Sequence, residues 1–224
     1  MEAHAPAASR WSRRLSAALC VGLLVGFAWL VTKQTQGFEV WTFEGQRRAQ
    51  IAAGTLHAAP ASLRTADATV PTPWQPGSQP PPGAYLVDFI YTRCPTVCRV
   101  LGSEYQQMQA QLAERGNEAV QLLSVSFDIA NDDAASLRLY GRTYQADPAR
   151  WTIAAPTSEA ETRSLLQSLG VVVIPDGFGG YVHNGAIHLL DERGRLHGLY
   201  ELDEWQQALA AAEHLAATRR EARR

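Results

Sequence analysis

Tyr85-Leu-Val-Asp-Phe-Ile-Tyr-Thr-Arg-Cys94-Pro-Thr-Val-Cys98 is the stretch that decides the fold. Leu86–Tyr91 reads as a buried strand, followed by a short turn that carries Cys94. A helix is expected to open through Pro95, because proline's missing N–H would be unpaired at the first helical position anyway. Cys94 then sits at a helix N-terminus, where the dipole and the open N–H groups favour an anion and draw a thiol's pKa down from about 8.5. Cys98 follows at i+4, on the same helical face. Two thiols so placed can close a disulfide or grip a soft metal.

The rest of the chain narrows the choice. Its 224 residues are 46% hydrophobic and 19% charged with a net charge of −2, enough for one packed domain. This near-neutral balance gives no reason to expect a nucleic-acid partner, whose binding needs clustered basic charge. Cysteine occurs only at positions 20, 94 and 98, too sparsely for a disulfide scaffold, so the Cys94–Cys98 pair is read as chemistry before structure.

Arg10, Arg13 and Arg14 precede an uncharged apolar run, Leu15–Val31, that ends at Lys33. The run is long enough to cross a bilayer as a helix. No small-x-small cleavage site follows it, and Leu19 stands before Cys20 where a lipoprotein signal has a small residue. We expect an uncleaved anchor over residues 15–32, with residues 1–14 cytoplasmic by the positive-inside rule and the chain beyond Lys33 on the outer side of the inner membrane, the periplasm. Cys20 is then an ordinary apolar helix residue.

Residues 33–83 read as a spacer. Phe38–Phe43 alternates like a strand, Ile51–Ala61 is Ala-rich and ambiguous, and six prolines between Pro71 and Pro82 mark a stiff connection; an edge strand or hairpin is expected here. From Ala84 the pattern becomes regular. Leu101, Tyr105, Met108 and Leu112 mark a helix capped at Gly116, with Met108 in the core. Val120–Phe127 is a strand, and Asn131 or Asp132 is expected to cap a helix carrying Leu137, Tyr140 and Tyr144. Trp151–Ala154 is a strand, and Ser158 with Glu161 makes a capping box for a helix ending at Gly170. Ala186–Leu190 and Arg195–Tyr200 form a hairpin, and a last helix runs from Leu202 to about Thr218, leaving 219–224 as a solvated basic tail. Strands alternating with helices, then a hairpin and a terminal helix, give an α/β fold around a mixed sheet, spanning residues 84–218.

This order resembles the thioredoxin superfamily, and Phe89-Ile-Tyr-Thr-Arg-Cys94-Pro-Thr-Val-Cys98 more narrowly resembles the Sco/SenC family. That family pairs its cysteine helix with a histidine shortly before a Tyr-Leu-x-Asp-x-x-Gly turn. Here the second element is Tyr181-Val-His183-Asn-Gly-Ala-Ile-His188-Leu-Leu-Asp191-Glu-Arg-Gly194, with His183 in the histidine's place and His188 in the tyrosine's. Ser124–Asp128 resembles the family's Val-Ser-x-Asp segment. The resemblance implies a thioredoxin-like domain and a membrane-tethered chaperone that binds copper, Cu(I) or Cu(II), through Cys94, Cys98 and His183. Its partner would be the copper-bearing subunit of cytochrome oxidase or another copper or thiol protein. The chain departs from the pattern at Arg99, where a proline is common, and at Val182, where an aspartate that could orient the imidazole is common.

A second reading stays open. Asp88 lies six positions before Cys94, the spacing at which thioredoxins bury a carboxylic acid under their thiols. A buried carboxyl has a raised pKa and can take a proton during exchange. The protein would then be a thiol–disulfide oxidoreductase in which Cys94 attacks, Cys98 resolves and Asp88 manages the proton. A redox or copper sensor is a third reading. Asp128 either lines the site or begins a turn, and His188 and His197 are expected on sheet faces.

Overall fold

The computed structural model describes residues 10–34, 43–75, 83–94 and 97–222. They fall into two units, 1–49 and 50–224. In the first, helix α1 (Arg10–Gln34) contains a 21-residue window, Arg14–Gln34, with mean hydropathy 2.2 and no buried residue. At about 1.5 Å rise per residue such a helix reaches across a bilayer's hydrocarbon core. Helix α2 (Phe43–Ala52) crosses from the first unit into the second. Most of the strand expected at Phe38–Phe43 lies outside the described residues, and Phe43 itself opens this helix.

The second unit is built on a seven-stranded mixed sheet, in order β2-β1-β5-β4-β3-β8-β9. Its centre is parallel: β3 (Ala84–Ile90), β4 (Val120–Ser126) and β5 (Trp151–Pro156) pair in sequence. On one flank β3 pairs antiparallel with β8 (Ile187–Asp191), which turns into β9 (Leu196–Tyr200). On the other flank β5 pairs with β1 (Ser62–Arg64), and β1 with β2 (Thr69–Pro71), so the proline-rich approach contributes a hairpin at the sheet edge. Every residue of β3 is buried, as expected of a strand covered on both faces.

Helices α3 (Val97–Glu114), α4 (Ala134–Thr143), α5 (Glu159–Ser168) and α6 (Trp205–Glu221) cover the sheet. Helix α3 buries Leu101, Tyr105, Met108 and Leu112, the stripe legible in the sequence. Its Tyr105 meets Trp151 of β5 at 5.6 Å between rings, and Trp151 donates its Nε1 proton to Ser124 at 2.9 Å. Ser158 caps α5 by accepting from the Glu161 N–H, one half of the expected capping box, while the Glu161 carboxylate accepts from the Ser158 and Thr157 hydroxyls and the Ser62 N–H. Helix α4 is capped by Asp133 rather than Asn131 or Asp132. The extended backbone at Asp133 aims its carboxylate at the Ser136 N–H, while Asn131 donates to Asp128 and Asp132 is engaged in the Cys94 turn.

The C-terminal basic residues are not all solvated. Arg219 lies on α6 and pairs with Asp191 and Glu192 of the β8–β9 turn, with Asp191 also accepting from His197 at 3.0 Å. That turn needs Gly194: its φ is +74°, and a Cβ there would lie 2.8 Å from the Trp74 ring.

A separate two-stranded ribbon, β6 (Val173–Pro175) with β7 (Tyr181–His183), stands off the main sheet. A glycine-rich loop joins the two strands, closed by Asp176, which accepts from the Phe178 and Gly180 N–H groups.

Candidate metal and redox centre

Cys94 stands in the turn after β3, its N–H bonded to the Tyr91 carbonyl at 3.1 Å. Asp132 braces that turn, accepting from the Thr92 N–H at 2.8 Å, the Thr92 hydroxyl at 2.6 Å and the Ser126 hydroxyl at 2.5 Å. Pro95 lies outside the described residues, and α3 begins at Val97, so Cys98 is in its first turn. The Cys98 N–H points at Cys94 Sγ at 3.4 Å, and no disulfide joins the two sulfurs. Tyr140 of α4 donates to the Cys98 carbonyl at 3.0 Å.

The ribbon brings in the histidine. Nε2 of His183 faces Cys98 Sγ at 4.0 Å, across 85 residues of sequence. The ring stands edge-on to Phe127 at 5.2 Å. Tyr181, two residues earlier, packs on Tyr91 and Phe127, and its N–H meets the Tyr91 hydroxyl at 3.3 Å. Its own hydroxyl donates to Asp128, which is buried at the end of β4 and paired with Arg93 at 3.0 Å. Asp128 thus holds the ribbon and the turn together. Tyr91, Phe127, Tyr181 and Asp132 went unmarked in the sequence as supports of this centre. The adjacency of aromatic residues to Cys94, Asp128 and His183 was the signal that could have found them.

Charge in the centre is controlled by burial. Burial pushes the Cys98 thiol well above its ordinary value, and the nearby Cys94 and Asp88 charges push it further. Burial lowers the His183 pKa, which keeps the imidazole neutral and able to donate a lone pair. Its Nδ1 is buried without a hydrogen-bond partner. Asp88 is completely buried in β3, in register with Ser124 of β4. Burial raises its pKa from 3.8 to about 7, against a partial offset from the neighbouring Ser124 and Tyr105 hydroxyls. Neither carboxyl oxygen has a hydrogen-bond partner within range.

Cys94, Cys98 and His183 therefore meet beyond the C-terminal end of β3, and Asp88, buried inside that strand, is near enough for its charge to act on Cys98. His188 does not: it is buried in β8, with Nδ1 3.2 Å from the Val87 carbonyl and its ring against Phe89. His197 serves Asp191 on β9. Among the described residues no three His, Cys, Asp or Glu side chains already enclose a metal-sized space. Cys98 and His183 are nonetheless closer than the sum of metal–sulfur and metal–nitrogen bond lengths, about 2.3 and 2.0 Å for zinc, so one ion can touch both.

The SCO1/SenC family model matches residues 81–218, well over half of the chain. The chain belongs to the SCO1/SenC family. A SCO1 homolog from Bacillus subtilis is 25% identical over 114 residues, covering 50% of this chain and 58% of that protein; the chain thus matches just over half the length of this relative. Copper-bound ScoI of Bradyrhizobium japonicum superposes with a TM-score of 0.57 at 20% identity, covering 71% of this chain and 99% of that one. BsSco, described as having a disulfide switch and as one of the Sco family of cytochrome c oxidase assembly proteins, gives 0.60 at 19% identity, covering 72% and 94%. At these identities the solved structures establish the shared fold, which is thioredoxin-like.

Proposed function

We propose that this SCO1/SenC protein carries copper on Cys94, Cys98 and His183 and hands it to the copper-bearing subunit of cytochrome oxidase. The observation that carries the reading is the approach of His183 Nε2 to Cys98 Sγ, with Cys94 Sγ within one helical turn. Two thiolates and an imidazole form a soft donor set that suits Cu(I) and can also hold Cu(II). Both sulfurs must be deprotonated to ligate, so loading releases protons, and an oxidised pair cannot load at all. The copper bound in the related ScoI and the assembly role named for BsSco support the same reading. Helix α1 would be the membrane anchor, with residues beyond Lys33 on the outer face.

The test is Cu(I) titration of the full chain in detergent, wild type against His183→Ala. One copper per chain and a clear loss of affinity in the variant are expected. Equal affinity in the two proteins removes His183 from the site.

Asp88 favours a second reading, thiol–disulfide exchange. A carboxyl with a pKa of about 7 beneath the thiols is poised to take the proton of Cys98 while Cys94 reacts. In this reading Asp88→Asn slows reduction of a disulfide substrate between about pH 6 and 9; a variant as fast as wild type throughout that range rejects the proton-transfer role.

A further inference from the structure

Both cysteines are buried, but their surroundings differ. Cys98 is almost wholly buried and faces His183, whereas Cys94 lines a cavity of about 470 Å³ between the Cys94 turn and α4. Arg93 and Arg99 stand at this cavity, with Thr92, Ser136, Leu139 and Tyr144. Its lining, among the described residues, has two permanent cations and no carboxylate. Arg93 spends one nitrogen on Asp128 and keeps a half-exposed side chain. Arg99 is exposed on α3 and lies against Tyr144, whose phenol burial raises and Arg99 draws back. Leu139 adds an exposed apolar side chain to the rim.

A cysteine lining a concave space flanked by guanidinium groups matches a small thiol that carries carboxylates. The volume lies in the range of roughly 300–1,000 Å³ typical of small-molecule sites. Guanidinium groups bind carboxylates through charge-assisted, often bidentate hydrogen bonds. We propose that this cavity receives a carboxylate-bearing low-molecular-weight thiol of the glutathione class, which sets the redox state of the Cys94–Cys98 pair. The proposal rests on the reading of that pair as a redox-dependent copper site.

The chemistry balances within that class of reductant. In the oxidised protein, the thiolate RS⁻ attacks Sγ of Cys94, the cysteine that lines the cavity. A Cys94–S–S–R bond forms, the Cys94–Cys98 bond breaks, and Cys98 leaves with the electron pair and takes a proton. A second RS⁻ attacks the ligand's sulfur in the mixed disulfide, releasing RSSR and the Cys94 thiolate. In sum, one protein disulfide and two RSH give a dithiol and RSSR, a transfer of two electrons and two protons. The reverse sequence oxidises the pair and closes it to copper.

The full oxidised chain in non-ionic detergent is reduced with glutathione or with 2-mercaptoethanol, and new thiols are counted by alkylation and mass. The readout is the ratio of the two rates, each corrected for its thiolate fraction. Arg99→Glu is expected to lower the ratio roughly tenfold, the order of a lost charge-assisted hydrogen bond, while Arg99→Lys retains most of it. S-methylglutathione, which cannot exchange, is expected to slow reduction by glutathione in wild type by occupying the cavity. A ratio unchanged by Arg99→Glu, or no effect of S-methylglutathione, overturns the proposal. Failure of the copper reading registers elsewhere, in the Cu(I) titration of His183→Ala, and leaves this ratio interpretable.

Discussion

Replacing Asp88 by asparagine should make the protein more stable at alkaline pH and remove a pH dependence that wild type carries. The carboxyl titrates near 3.8 when exposed in the unfolded chain and near 7 when buried in β3. Below about pH 4 it is protonated in both states and contributes nothing to the difference. As pH rises from 4 to 7 the unfolded chain ionises and the folded one does not, so stability falls; above 7 the loss levels off. A separation of about three units corresponds to roughly 4 kcal/mol at full development, and roughly 2 to 3 kcal/mol of it falls between pH 5 and 8. In a chain of this size that is a fall in Tm of about 5 to 10 °C. The measurement is thermal unfolding of full-length wild type and Asp88→Asn in detergent, followed by tryptophan fluorescence at pH 5, 6, 7 and 8. Subtracting one protein from the other cancels the other titrating groups. The gap should open in favour of the variant as pH rises. A constant gap across this range would show that Asp88 is ionised in the fold throughout, and the argument from burial would fail.

Three further outcomes follow from the same structure. Asp132→Ala leaves the Thr92 N–H and two hydroxyls without their acceptor under the Cys94 turn, so it should cost about 3 kcal/mol in urea unfolding and weaken Cu(I) binding together. Asp191 is held down at about pKa 2, despite its burial, by His197, the Arg193 and Arg195 N–H groups and Arg219. Its contribution is therefore present above about pH 4 and disappears as pH falls toward 2, and Asp191→Asn should flatten the acid limb of the stability curve. Helix α1, long and apolar enough to span, should keep the chain in the membrane pellet through a salt wash; release of intact protein by mild salt would contradict an anchor.

The parts of this fold legible in the sequence are those with a strong periodic signal. The β3 run, the α3 stripe and the Ser158 N-cap are all local patterns, and each is found at its place. Where several residues of the same chemistry adjoin, sequence alone does not choose among them. Asn131, Asp132 and Asp133 can each cap a helix, and backbone conformation assigned the cap to Asp133 and sent Asp132 to the Cys94 turn. The β6–β7 ribbon left no mark in the sequence, because three-residue strands carry too little alternation to register. His183 was found through its offset from the β8–β9 turn, not from any property of its surroundings. The aromatic frame of Tyr91, Phe127 and Tyr181 depends on side chains 36 to 90 residues apart meeting in space, which no local pattern records.

The sheet and the ribbon divide the labour of the proposed copper site unequally. Cys94 and Cys98 are anchored to the central strand and the long helix, whereas His183 rides on two short strands tied to the body through Tyr181, Phe127 and Asp128. A ribbon of that size has little cohesion of its own. Swinging it outward detaches one donor and leaves the sulfur pair undisturbed. If the proposed site holds copper, an incoming acceptor ligand would then meet a vacated position while both sulfurs still held the ion, so the cargo would pass over without being released into water. The rate of delivery would be governed by how firmly one tyrosine and one aspartate hold the ribbon shut, a property set well away from the copper-binding atoms.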